Sequence, residues 1–264
     1  MAIDLGYGNA TAIVTGGTRG IGKEVVRLLL REGARVLAVG SRPETAAKLR
    51  AEIEDEKLAV IAQDMRAPDS GENVVAAALA AFGGIDLVVN NAAAFDYTRA
   101  DMVGRADFMD LFELKAVGYW SLARAATAEL AKRMGAIVNV AGVAGILPSA
   151  DSPQVGATNA AIINMTQGMA KALAPRGIRI NVVSPGATDT DRFATRTALL
   201  AVRTGTDPED ARAKLGSGIP IGHPADPAEI ALIVAVLGAP LVRSVTGTHI
   251  VADGGSTLVG RPNA

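Results

Sequence analysis

The chain has 264 residues, 49% of them hydrophobic and 20% charged, enough to bury one sizeable core and fitting one α/β domain over residues 1–264. Its 26 basic and 27 acidic residues leave a formal net charge of -1, which excludes the basic excess that binding a nucleic acid by phosphate neutralisation demands. The lack of cysteine excludes disulfides, thiolate catalysis and cysteine-held zinc, and the two histidines, His223 and His249, are too far apart in sequence to suggest a metal site.

The first apolar run of strand length, Ala12 to Val14, leads into Thr15-Gly16-Gly17-Thr18-Arg19-Gly20-Ile21-Gly22, and helical spacing follows through Val25, Val26, Leu28 and Leu29. A strand that ends in a glycine turn and feeds a helix leaves the first amide N–H groups unpaired at the positive end of the helix dipole. That is a seat for a pyrophosphate. Gly16, Gly20 and Gly22 have separate tasks there: a tight turn, close approach of backbone to phosphate, and close packing of helix on strand.

Further runs of strand length lie at Val36 to Val39, Leu58 to Ile61, Ile85 to Val89, Ile137 to Val140, Ile178 to Val183 and His249 to Val251. The strands are continuously apolar and the earlier ones alternate with helical segments, which predicts a doubly wound Rossmann-type domain: a parallel sheet of about seven strands flanked by helices on both faces. The N-terminus lacks a signal-peptide pattern and the most apolar later segment, Ile230 to Leu237, is far shorter than a membrane span. The expectation is a soluble, cytoplasmic protein with no membrane partner.

In such a sheet ligands sit outside the carboxyl ends of the strands. After the second strand come Gly40, Ser41 and Arg42, with no carboxylate to take a ribose 2′-hydroxyl, whereas Arg42 and Arg19 together suit a 2′-phosphate. NADP(H) is therefore favoured over NAD(H); the alternative is two solvated arginines. After the third strand Asp64 and Met65 are placed to flank an adenine, and after the fourth come Asn90, Asn91, Ala92 and Ala93.

The chain resembles the short-chain dehydrogenase/reductase family from about residue 10 to 258. The resemblance is carried by the glycine turn, by Asn90-Asn91-Ala92, by Gly177-Ile178-Arg179-Ile180-Asn181 leading into Ser184-Pro185-Gly186, and by Thr246-Gly247 with Asp253-Gly254-Gly255. It implies that Gly16, Thr18, Arg19, Ile21, Asp64, Met65, Asn91 and Ala92 hold the adenosine and pyrophosphate half of the dinucleotide, and Pro185, Gly186, Thr188 and Thr190 the nicotinamide half. It implies a homotetramer or homodimer acting on a small-molecule substrate, with residues 188–218 as a variable substrate lid.

The family's four catalytic residues, Asn, Ser, Tyr and Lys, match Lys115, Gly142, Val155 and Asn159 here. Val155 cannot donate a proton and Gly142 has no side chain, so ordinary ketone reduction lacks both its acid and its oxyanion donor. Asn and Lys have exchanged places, which makes Lys115 and Asn159 the catalytic candidates, Lys115 as a cation or a proton donor; the alternative is a lysine snorkelling to solvent. Tyr97, beside Asp96, is the tyrosine best placed to replace the lost acid. Arg192, Arg196, Arg203 and Arg212 alternate with acidic residues in the lid and read as a solvated helical surface. The function expected is an oxidoreductase for an imine or a conjugated acceptor; the alternative is a noncatalytic NADP(H) sensor or partner subunit.

Overall fold

A computed structural model describes residues 4–94 and 100–259. Its strands are β1 (Thr11–Thr15), β2 (Arg35–Gly40), β3 (Leu58–Ala62), β4 (Leu87–Asn90), β5 (Ala136–Val140), β6 (Arg179–Pro185) and β7 (His249–Ala252). They form one parallel seven-stranded sheet, as the sequence predicted, and its strand order is β3-β2-β1-β4-β5-β6-β7. The order reverses beside β1, which pairs with β2 on one side (Val14 opposite Ala38) and β4 on the other (Val14 opposite Val89). That reversal opens a crevice at the carboxyl ends of β1 and β4.

The helices are α1 (Gly20–Arg31), α2 (Pro43–Glu52), α3 (Ser70–Phe82), α4 (Arg105–Phe112), α5 (Gly118–Arg133), α6 (Pro153–Leu173), α7 (Asp191–Thr204), α8 (Pro208–Ser217), α9 (Pro227–Gly238) and α10 (Ser256–Val259). Successive strand residues point to opposite faces. Ala12, Val14, Val36, Ala38, Leu87 and Val89 pack under Val25, Val26 and Leu29 of α1 and Ile230 and Val234 of α9. Ile13, Leu37, Val39, Val88 and Ile137 pack under Val74 of α3 and Leu122, Ala126 and Leu130 of α5. Both faces are covered, which is why these strands are apolar without alternation. Among the described residues no helix is long and apolar enough to cross a membrane.

The carboxyl end of α9 has no basic residue in its last turn. Its carbonyls are satisfied from elsewhere: Tyr7 Oη donates to Ala235 O (2.6 Å), Arg179 Nη1 to Leu237 O (2.7 Å) and Arg179 Nη2 to Ala239 O (3.0 Å). Arg179 Nη1 also donates to Val245 O (3.1 Å), so one buried guanidinium caps a helix and ties down the approach to β7. Arg179→Met should lower stability by about 3 kcal/mol, because carbonyls lose a charged donor in a place poor in water. Urea unfolding would show this as a lower midpoint at unchanged slope.

Candidate functional site

The crevice is built by backbone contacts that only glycine permits. A Cβ on Gly22 would lie 2.2 Å from Gly16 O, so the start of α1 rests directly on the turn. Gly16 and Gly20 have φ of 63° and 53°, the left-handed region that glycine enters without steric cost. The turn is locked to β4, since Asn91 Nδ2 donates to Thr15 O and Gly16 O (3.2 Å each) while Thr15 Oγ1 accepts from the amides of Asn91 (3.0 Å) and Ala92 (3.2 Å). The amide of Gly17 donates to Val39 O (3.1 Å), and the start of α1 has no side-chain cap, which leaves the first helical amides available to an anion.

Other positions singled out from the sequence converge on the same crevice. Thr18 covers Gly40, where a Cβ would come within 2.6 Å of Thr18 Cγ2. This sets the glycine turn against the end of β2, with Arg19, Ser41 and Arg42 exposed beside the contact and neither arginine ion-paired among the described residues. Ile21 is half-buried against the core, and Met65 is buried with its carbonyl near Gly118. Asp64 is turned to its neighbour: Arg66 Nη1 donates to its carboxylate at 3.1 Å. From the other side, Gly186 follows Pro185 and packs on Asp253, its amide donating to Ala252 O (2.9 Å). Thr188 Oγ1 donates to Gly186 O (3.3 Å), Thr190 Oγ1 to Thr188 O (3.3 Å), and the Thr190 side chain lies 3.4 Å from where a Cβ on Gly20 would be. Thr190 and the glycine turn, far apart in sequence, are thus neighbours.

The wall facing them is where Lys115 lies. Between α4 and α5 the chain makes a π-helical turn, Glu113–Val117. The wider turn lets three successive residues, Leu114, Lys115 and Ala116, all face inward. Lys115 is 4% exposed, which corrects the snorkelling alternative: its Nζ donates to Ala141 O (2.8 Å) and Asn159 Oδ1 (2.6 Å). Burial lowers its pKa to about 7, and the charge of Arg192 contributes to the shift.

Asn159, on α6, is 2% exposed, and its Oδ1 is taken by Lys115, so its Nδ2 turns towards Gly142. A Cβ on Gly142 would come within 2.9 Å of that Nδ2. A side chain at 142 and this asparagine therefore compete for one space. Val155, one turn earlier on α6, is buried. Tyr97 and Asp96 lie outside the described residues. Under the wall, Asn90 Nδ2 donates to Asn139 Oδ1 (2.9 Å) and Asn139 Nδ2 to Thr166 Oγ1 (2.9 Å), fixing β4, β5 and α6 to one another.

Two groups at the wall were missed as site residues. Tyr119 Oη donates to Ala92 O (3.0 Å) and is within 3.3 Å of Val140 O, with burial pushing its pKa up. Arg192 does not belong to a solvated surface: half-buried at the start of α7, it donates from Nη2 to Ala93 O at 3.0 Å. Arg212, by contrast, pairs with Asp189 (2.5 Å), and exposed Arg203 lies 3.9 Å from Asp151. The only sequence signal for Arg192 was its place two residues after Thr190. His223 is exposed, with Nδ1 3.0 Å from Pro224 O. Among the described residues no group of side chains could hold a metal ion.

A profile described as short chain dehydrogenase matches residues 10–199. The chain is 31% identical over 252 residues to 3-oxoacyl-[acyl-carrier-protein] reductase FabG of Vibrio cholerae, covering 94% of this chain and 97% of the relative. It is 30% identical over 253 residues to L-rhamnose 1-dehydrogenase (NAD(P)(+)) of Azotobacter vinelandii, covering 93% and 95%. Among solved structures, L-sorbose reductase from Gluconobacter frateurii, complexed with NADPH and L-sorbose, superposes with a TM-score of 0.89 at 25% identity, covering 96% of this chain and 98% of that one.

Proposed function

Because the chain belongs to the short chain dehydrogenase family, we propose that it is an NADP(H)-dependent oxidoreductase with an atypical catalytic wall, acting on a conjugated acceptor. The observation that carries this reading is the Lys115–Asn159 pair filling the space beside Gly142. The glycine cradle fits a dinucleotide, since a side chain at 16 or 22 would strike backbone where a pyrophosphate must approach. Gly16, Thr18, Arg19, Gly20, Ile21, Gly22, Asn91, Ala92 and Ala93 would hold its diphosphate half, Asp64 and Met65 its adenine, Ser41 and Arg42 with Arg19 its 2′-phosphate, and Pro185, Gly186, Thr188 and Thr190 the nicotinamide half. When bound, the cofactor supplies a hydride.

The wall has no hydroxyl at 142 or 155 to protonate an alkoxide, yet it presents donors. Lys115 Nζ has three protons and uses two on neutral oxygens; Asn159 Nδ2 faces the space at Gly142. Such donors stabilise negative charge that spreads onto a carbonyl oxygen as an enolate forms. The Lys115 ammonium also repels a protonated imine, so of the two acceptors considered the conjugated carbonyl is favoured. We further propose a homotetramer or homodimer in the cytoplasm, with one domain over residues 1–264 and residues 188–218 closing over the acceptor.

The test is NADPH oxidation with cyclohexenone, cyclohexanone and 1-pyrroline. Turnover of the enone about a hundredfold faster than the ketone is expected. Ketone or imine turnover at the enone's rate overturns the conjugated-acceptor reading, and NADPH binding without any turnover favours the sensor. For the cofactor, Arg42→Ala should weaken NADPH about tenfold and leave NADH unchanged, as calorimetric titration would show.

A further inference from the structure

We propose that Arg66 is a positioning residue for the base of the cofactor: it holds the Asp64 carboxylate so that one acceptor position, on Oδ2, is left for the N–H of a 6-amino purine, while Asp110 of α4 anchors the guanidinium from its other edge. The inference rests on the NADP(H) reading and adds Arg66 to that same site.

Asp64 stands at the carboxyl end of the sheet, two residues past β3, and its side chain is exposed. Its backbone has little freedom. Ala67 N donates to Asp64 O (3.2 Å), Ser70 Oγ donates to the carbonyl of buried Met65 (3.2 Å), and a Cβ on Gly118, where α5 begins, would lie 3.0 Å from that same carbonyl. The segment is thus seated against the starts of α3 and α5, and the direction of the carboxylate is what remains to be settled. A lone exposed aspartate samples several rotamers, and a ligand that uses it must first order it.

Arg66 removes that freedom. Its backbone N–H donates to Asp64 Oδ1 (3.0 Å), and its Nη1 donates to Oδ1 and Oδ2 (3.1 Å each). A carboxylate offers about four lone-pair positions. Arg66 occupies three of them, and the one left is on Oδ2. An acceptor there admits the exocyclic amine of adenine and rejects the carbonyl that hypoxanthine carries at the same place, because two facing oxygens have no proton to share.

The guanidinium is itself placed by a residue 44 positions further along the chain: Nη2 donates to Asp110 Oδ2 (2.9 Å), and Nε lies 2.6 Å from Asp110 Oδ1, the match of a planar fork to a carboxylate. The hydrogen bond to Asp110 is the largest cause holding the Arg66 pKa above the usual arginine value. A cation between the two carboxylates also offsets negative charge that would oppose a phosphate-bearing ligand. Ion pairs as exposed as these add little to stability, so folding alone does not account for the arrangement.

The experiment is calorimetric titration with NADPH and with its deamino counterpart, in which hypoxanthine replaces adenine. Wild type should bind NADPH about tenfold more tightly. Arg66→Met should bring that preference below about threefold at an unchanged urea midpoint, and Arg66→Lys, which keeps the charge and loses the fork, should retain part of it. Asp64→Asn, whose amide can turn a donor or an acceptor to either base, should abolish it. A preference that survives Arg66→Met overturns the inference, including the case in which both dinucleotides weaken by the same factor, the mark of a residue that only shapes the pocket. Binding of both dinucleotides by wild type without preference overturns this inference alone. Binding of neither removes the NADP(H) reading, and this inference with it.

Discussion

Lys115→Met is expected to lower turnover of a conjugated acceptor by about a hundredfold to ten-thousandfold while changing NADPH affinity less than about threefold. Methionine has similar length and suits the apolar neighbours Leu114 and Ala116, so the wall keeps its packing and loses its charge and its donor. The damage extends to Asn159, whose Oδ1 is held by Lys115 and whose Nδ2 is thereby aimed at the space beside Gly142. Freed of Lys115, the amide can turn and present its oxygen to developing negative charge. Near-normal turnover in the methionine variant would remove Lys115 from the mechanism.

The pH dependence follows from the same side chain. With its pKa brought down to about 7 by burial, Lys115 is the ammonium below that pH and the amine above it. If the ammonium is the working form, turnover falls as pH rises through about 7, and the methionine variant lacks that limb. In the unfolded chain a lysine titrates near ~10.4. Between about 7 and that value the unfolded state binds the extra proton, so native stability rises with pH there. Wild-type protein should therefore gain stability relative to Lys115→Met from neutral to alkaline pH, as paired urea titrations would show.

The second large effect belongs to the glycine turn. Gly22→Ala should weaken NADPH by about a hundredfold or more and cost about 2 kcal/mol of stability. The added Cβ would sit 2.2 Å from Gly16 O and 2.5 Å from Asn91 Nδ2, and neither can simply yield, because Asn91 holds Gly16 O by a hydrogen bond. Either α1 moves away from β1 or the turn opens, and both displace the amides that would face the pyrophosphate. Gly168→Ala, in the interior of α6 where an added Cβ meets nothing within 4 Å, should be neutral or slightly stabilising. Equal NADPH affinity in Gly22→Ala and wild type would show that the cradle is not a nucleotide seat.

By itself the sequence determined the parallel sheet, the glycine turn at its first strand, and the lack of any hydroxyl at positions 142 and 155. Each of these is written within a few consecutive residues: two-sided burial makes a strand such as Ile137 to Val140 apolar throughout, and a turn without room for a Cβ must be glycine. The tertiary structure alone decided that Lys115 points inward, that Arg192 leaves the lid surface for Ala93, and that Arg179 caps α9. A lysine in a helical pattern carries no local sign of burial; the π-helical turn and the oxygens of Ala141 and Asn159, 26 and 44 residues away, supply it. Arg192 and Arg212 have similar acidic surroundings in sequence and opposite fates in space. The cause is that the partner of a charge is chosen by which chain segments the sheet brings together, here across 99 residues, and not by its neighbours along the chain.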